Sequence, residues 1–141
     1  MLRMPGVRTF SAHLLVGLAI AVAALGCLLA LSACSDRPSV AARATVETFY
    51  GAVQNDNLDL AGDNIARAAS PQFRTHVEAA ASAAQTSADG RRSVQLVRVE
   101  TPSISGDTAR VHVVFADGQT DTVTLMREGL QWKVLNSGRL G

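Results

Sequence analysis

A chain of 141 residues with a formal net charge of +1 is long enough for one modest core and too evenly charged to coat a polyanion. Arg91 and Arg92 form the one adjacent basic pair, and no basic stripe interleaved with aromatics occurs, which argues against nucleic acid as a partner. The two cysteines, Cys27 and Cys34, both lie near the front; the residues after Cys34 can hold neither an internal disulfide nor a thiolate metal site and must fold on apolar packing.

Arg3 and Arg8, with no acidic residue near them, precede an apolar run from Leu14 to Leu31, the pattern of an export signal. The run is long for a cleaved signal and close to the lower limit for crossing a bilayer, so its length alone leaves cleavage and retention open. It closes on Leu31, Ser32, Ala33 and Cys34. This junction resembles the lipobox of bacterial lipoproteins. The resemblance implies that the thiol of Cys34 takes a diacylglyceryl group, that residues 1–33 are removed as a signal peptide, and that the mature chain starts at Cys34. Each buried methylene contributes about 0.8 kcal/mol, so two or three acyl chains make a durable anchor. Residues 34–39 then form the lipidated cysteine and a tether; its five extended residues after Cys34 reach about 17 Å. The expected location is the extracytoplasmic face of a bacterial cell envelope, at either the inner or the outer membrane.

From Ser39, read as a cap, a helix is expected over 40–54, because Ala42, Val46, Phe49 and Val53 fall on one stripe, with Tyr50 at its border. Asp56 or Asn57 can cap a second, weaker helix with Leu58, Ala61, Ile65 and Ala68 on one side and Gly62 in its middle. Ser70 and Pro71 open a third, packing through Phe73, Val77, Ala80 and Ala84. Ser87 to Gly90 reads as a break, after which the period changes to two.

Val97 and Val99 alternate with Arg98; Ala109, Val111, Val113 and Phe115 alternate with Arg110 and His112; Val123 and Leu125 alternate with threonines; Trp132 and Val134 flank Lys133. A two-residue turn at Glu128 and Gly129 sets Leu125 opposite Trp132 and Val123 opposite Val134, with all four on one face. The same turn length at Asp117 and Gly118 would set Val111 and Val113 against threonines. A bulged or three-residue connection there places Val113 opposite Val123 and Val111 opposite Leu125, and is expected instead. The expectation is an α+β domain in which N-terminal helices cover a curved antiparallel β-meander of about four strands.

This arrangement resembles the NTF2-like superfamily, the cystatin-like α+β cone, over residues 40–136, with 137–141 as a C-terminal tail. The resemblance rests on Val46 to Val53, on Asp59, Leu60 and Ala61, and on Glu128 to Val134. It implies a concave sheet and helices enclosing a pocket, which Tyr50 and Trp132 would line. Some relatives in that superfamily are isomerases or cyclases; others bind small molecules or proteins.

No catalytic residue is assigned. His112 is expected on the outer sheet face and His76 beside the third helix's apolar stripe. Their spacing gives zinc no support. Asp117 and Asp121 read as solvated acids at a turn, and no metal or other cofactor is expected. The leading expectation is a membrane-tethered binding or accessory domain for an envelope protein or an apolar small molecule, with a homodimer also open. A small isomerase- or dehydratase-type enzyme and a structural envelope component are the alternatives.

Overall fold

The computed structural model describes residues 37–141; the apolar run, Cys34 and the lipidation expected there lie outside the described residues. Among the described residues no helix is long and apolar enough to cross a membrane.

Helix α1 (Arg37–Gln54) is already under way at Ser39, so Ser39 sits inside it instead of capping at Val40. Its stripe is the expected one: Ala42, Val46, Phe49 and Val53 are wholly buried, and Tyr50 joins them. The helix ends where Asn57 N donates to Ala52 O at 2.9 Å and Asp56 N to Val53 O at 3.2 Å. Asp56, at φ 55°, takes the left-handed position that glycine usually fills in this motif.

Helix α2 (Leu58–Asp63) is capped by Asn57, whose side chain accepts from Leu60 N at 3.1 Å. It stops short of the expected Ala68 because Ile65 leaves to form a parallel bridge with Val134. Helix α3 (Pro71–Thr86) starts as expected, with Ser70 Oγ accepting from Phe73 N at 3.1 Å, and buries Phe73, Val77, Ala81 and Ala84.

The expected break after it is a fourth helix, α4 (Ala88–Val94). Ser87 serves both neighbours: its N–H closes α3 on Ala83 O at 3.1 Å, and its Oγ accepts from Gly90 N at 2.9 Å to open α4. Gly90 is there for proximity. A Cβ on it would lie 2.2 Å from Ala83 O, a backbone atom that cannot swing aside. A Cβ on Gly51, in α1, would meet nothing within 4 Å. Gly51→Ala is therefore expected to raise stability by about 1 kcal/mol through helix propensity alone. Gly90→Ala should lower stability despite the same propensity gain; urea midpoints of the two variants check the contrast.

Five strands follow: β1 (Leu96–Val99), β2 (Ser103–Ser105), β3 (Thr108–Phe115), β4 (Thr120–Glu128) and β5 (Gln131–Ser137). They form one antiparallel sheet in the order β1-β3-β4-β5, with β2 also paired to β3. β1 and β2 together act as one broken edge strand, interrupted around Pro102, which has no N–H to give to a ladder. The connection from β3 to β4 spans Ala116 to Gly118: Gly118 N donates to Phe115 O at 3.0 Å and Phe115 N to Gln119 O at 2.9 Å, with Gly118 at φ 82°. This is the expected three-residue turn. The register is two positions away from the expected one: Val111 lies opposite Val123 and Ala109 opposite Leu125, while Val113 lies opposite Asp121 and not, as expected, Val123.

The β4–β5 hairpin slips in the same way. Glu128 pairs with Gln131, so the two-residue loop is Gly129 and Leu130, and Leu125 faces Val134 while Trp132 faces Arg127. Gly129, at φ 62°, takes the first loop position, which demands a positive φ; Glu128 would be strained there. A bulge between Thr124 and Leu125 then brings Ser137 opposite Val123. A second bulge, between Leu96 and Arg98, throws Val97 out of the ladder, so that Val97 is 67% exposed and not the core residue its alternation suggests.

The α+β class stands; the cone does not. The sheet is open, neither curled nor closed, because its order never brings β1 to β5 and each outer strand remains an edge. The space that a hollow cone would enclose is filled by Phe49, Tyr50, Phe73 and Phe115, each buried to 1% exposure or less. The C-terminal residues are part of this packing. Leu140 is buried, and its carbonyl pairs with His76 Nδ1 at 3.1 Å, which makes Nδ1 the protonated nitrogen of that ring.

Candidate functional site

Burying one stripe of α1 leaves the adjoining positions Arg43, Glu47, Gly51 and Gln54 in a row beside the core. That row is one wall of an open groove of about 320 Å³. The other wall is β1, from Leu96 to Val99, and Tyr50 reaches the groove from beneath. Arg43 Nε donates to Glu47 Oε1 at 2.8 Å along the rim, and Arg98 lies 3.4 Å from Glu100. Both pairs are exposed, so they orient side chains more than they stabilise the fold.

Tyr50 turns its chemistry inward. Its ring meets Phe49 and Phe115 edge-on, each at 5.1 Å between centroids. Its hydroxyl donates to Ser137 Oγ at 2.9 Å, and Ser137 Oγ donates in turn to Asp121 Oδ2 at 2.5 Å. Asp121 Oδ2 also accepts from Arg139 N at 3.1 Å, and Oδ1 accepts from Thr122 N at 2.7 Å. Burial pushes the Tyr50 phenol well above its ordinary range; the bond to Ser137 opposes that shift and the Asp121 charge adds to it. The phenol is thus a neutral donor whose proton is already committed. No buried side-chain nitrogen or oxygen among the described residues lacks a partner.

Trp132 is elsewhere. It lines a separate open cleft of about 290 Å³ with Thr45, Asn64 and Leu130, so the two residues expected to share a pocket do not meet. A third, larger cleft of about 760 Å³ lies between the turn after α2 and the β4–β5 hairpin. Its polar side chains tie that turn to the sheet and to α3: Glu128 Oε1 accepts from Arg67 N at 2.7 Å and Lys133 Nζ donates to Asp63 O, while Arg74 Nη2 of α3 donates to Ala66 O at 2.9 Å. His112 is on the exposed face, with Nδ1 bonded to Thr122 Oγ1 at 2.9 Å.

Asp117 and Asp121 are not the loosely solvated pair their sequence suggests. Asp117 ion-pairs with Arg139, whose guanidinium stacks over Phe115 at 4.8 Å from the ring centre. Partial desolvation raises the Asp117 carboxyl but is outweighed by hydrogen bonds from Arg139 and Gln119 N and by the Arg139 charge, so it ionises below its ordinary value. The sign follows: a depressed folded pKa stabilises above the unfolded value near about 3.9 and loses that contribution as acid protonates the group. Arg139→Ala should move the Asp117 carboxyl back upward, which a carbon-13 titration of the side chain would show. Neither the Tyr50–Ser137–Asp121 chain nor the Arg139 clamp is legible in sequence, since the partners lie 16 to 87 residues apart.

Among the described residues no group of three or more His, Cys, Asp or Glu side chains could hold a metal ion. Compared with known proteins, the chain matches no family model, no curated protein and no solved structure. What the geometry defines is an open-sheet α+β domain with a filled interior and open clefts on its surface.

Proposed function

We propose that this chain is a lipid-anchored, extracytoplasmic binding or accessory domain that recognises a protein partner through its surface. The observation that carries the reading is the filled interior. Four aromatic rings occupy the space under α1, and the Tyr50 hydroxyl, the group best placed for acid–base work, is spent on Ser137. A small apolar ligand would have to displace that packing, whereas a protein can use the open groove as it stands. The attachment rests on the likeness of Leu31 to Cys34 to a lipobox and on the short tether before α1.

Two measurements test this on protein from its native membrane. Intact mass should show a chain beginning at Cys34 and carrying acyl groups; a full-length unmodified species as the stable form overturns the anchor. Photo-crosslinking residues placed singly at Val97, in the groove, and at Leu130, on the hairpin tip, should join the chain to one partner of reproducible mass. No adduct from either position overturns partner recognition.

A further inference from the structure

We infer that the tip of the β4–β5 hairpin is a lipid-contact site, at which Leu130 enters the surface of the bilayer that holds the anchor. The domain is then held at two points and keeps one end turned to the membrane. This rests on the lipid-anchor part of the proposed function and extends it from attachment to orientation.

Leu130 is 92% exposed, the highest value for any large apolar side chain among the described residues. A two-residue hairpin loop that opens on glycine is usually completed by Asn, Asp or Ser. Here the second position is a leucine whose side chain the fold does not bury.

The place of the tip in the fold points to what it meets. Thr45 of α1 lies beside Trp132 of β5, with Oγ1 3.3 Å from Trp132 O, and Tyr50 lies beside Ser137. Both pairs are 87 residues apart, so α1 and β5 advance in the same direction. Followed backward, one leads to the start of α1 and the other to the hairpin tip, at the same end of the domain. The cleft lined by Leu130 agrees, since Ala41, about one turn into α1, lines it too. Pro38, three positions before Ala41, shares that helix face and is exposed.

From Arg37 back to Cys34 is three residues of chain, at most about 10 Å. An acylated Cys34 therefore holds this end of the domain next to the bilayer. A lone leucine binds a membrane weakly, but the anchor keeps it there at high effective concentration, so a weak second contact suffices. A partner joined to the chain from Leu130 is then one that meets the same lipid surface.

The charges around the tip are mixed. Arg67, Arg127 and Lys133 stand with Asp63 and Glu128, and Arg127 Nε and Lys133 Nζ each donate to a main-chain carbonyl, of Gly129 and of Asp63. The contact is thus apolar in kind and does not select anionic lipid.

Trp132, the only tryptophan in the chain, sits about 7 Å up the strand from Leu130 and serves as the reporter. The test places the mature lipidated chain in phosphatidylcholine vesicles whose acyl chains are either plain or brominated near the headgroup. Bromine quenches an indole only at close range. Brominated lipid should lower Trp132 emission at low and at high salt. Leu130→Asn, which suits the loop position, should cut that quenching at least about threefold, with flotation on the vesicles and the melting temperature unchanged. A chain that floats with its acyl groups but shows no quenching, or equal quenching in Leu130→Asn, overturns the tip contact and leaves the anchor standing. Quenching that requires anionic lipid, or vanishes in salt, overturns the apolar contact. A chain that carries no acyl groups and does not float overturns the anchor, and the tip contact with it.

Discussion

Phe49→Ala is expected to cost about 3–5 kcal/mol of folding stability, more than any other single truncation under α1. Phe49 has no exposed surface, stacks on Phe73 of α3 at 6.1 Å between ring centres, and meets Tyr50 edge-on at an interplanar angle of 79°. Truncation removes the ring's burial and both aromatic contacts, the latter worth about 0.5–1.5 kcal/mol each beyond area. Helices and sheet cannot collapse to fill the space, because Val46 and Val53 on the same stripe hold α1 at its distance from the strands. Leu130→Ala serves as the contrast: at 92% exposure it should change stability by less than about 0.5 kcal/mol. Urea unfolding with an unchanged slope checks both. A loss below about 1 kcal/mol for Phe49→Ala would mean that the space under α1 is not packed, and a small apolar molecule could then be housed there.

Where the sequence is informative, one physical rule is enough to decide. The stripe of α1 follows from residue spacing, the start of α3 from Ser70 and Pro71, and the odd length of the turn at Ala116 to Gly118 from the need to keep the apolar side chains of β3 and β4 on one face, although Val113 ends opposite Asp121. Where two structures satisfy the same rule, the sequence is silent. Sliding a hairpin by two positions keeps every side chain on its face, so the pattern cannot distinguish Leu125 opposite Trp132 from Leu125 opposite Val134; the φ of Gly129 does. Helix α4 buries the single apolar residue Val94 and so has no stripe to read, and its Gly90 looks like a breaker because closeness to Ala83 O is a tertiary fact. Alternation tells which face of the sheet is apolar but not whether the edges meet, and a cone requires both. The groove is half legible: Tyr50 stands out beside its helical stripe, but its wall partner β1 reads as core, since the bulge that exposes Val97 leaves no mark in composition.

Ser137→Ala is expected to cost about 1–3 kcal/mol, the second large effect, because it strands a buried donor. Ser137 is fully buried, and its Oγ both accepts from Tyr50 and donates to Asp121. Without it the Tyr50 hydroxyl, at 1% exposure, faces a methyl group, and Asp121 loses one of its donors. Tyr50→Phe should cost less, about 0.5–1.5 kcal/mol, since Ser137 keeps its bond to Asp121. Once Tyr50→Phe has removed the donor, adding Ser137→Ala should cost less than it does alone, and that coupling distinguishes a linked chain from two separate contacts. The same burial has a pH signature that can be read cleanly, because Tyr50 is the only tyrosine in the chain. A phenol raised in the folded state holds its proton where the unfolded chain would release it, at about pH 10; the Tyr50 contribution to folding stability should therefore be constant below that value and fall as pH rises past it. Phenolate absorbance should stay low until the protein unfolds. If it instead rises in the ordinary tyrosine range while the fold persists, the hydroxyl is open to solvent, and Tyr50 would be free to take part in proton transfer after all.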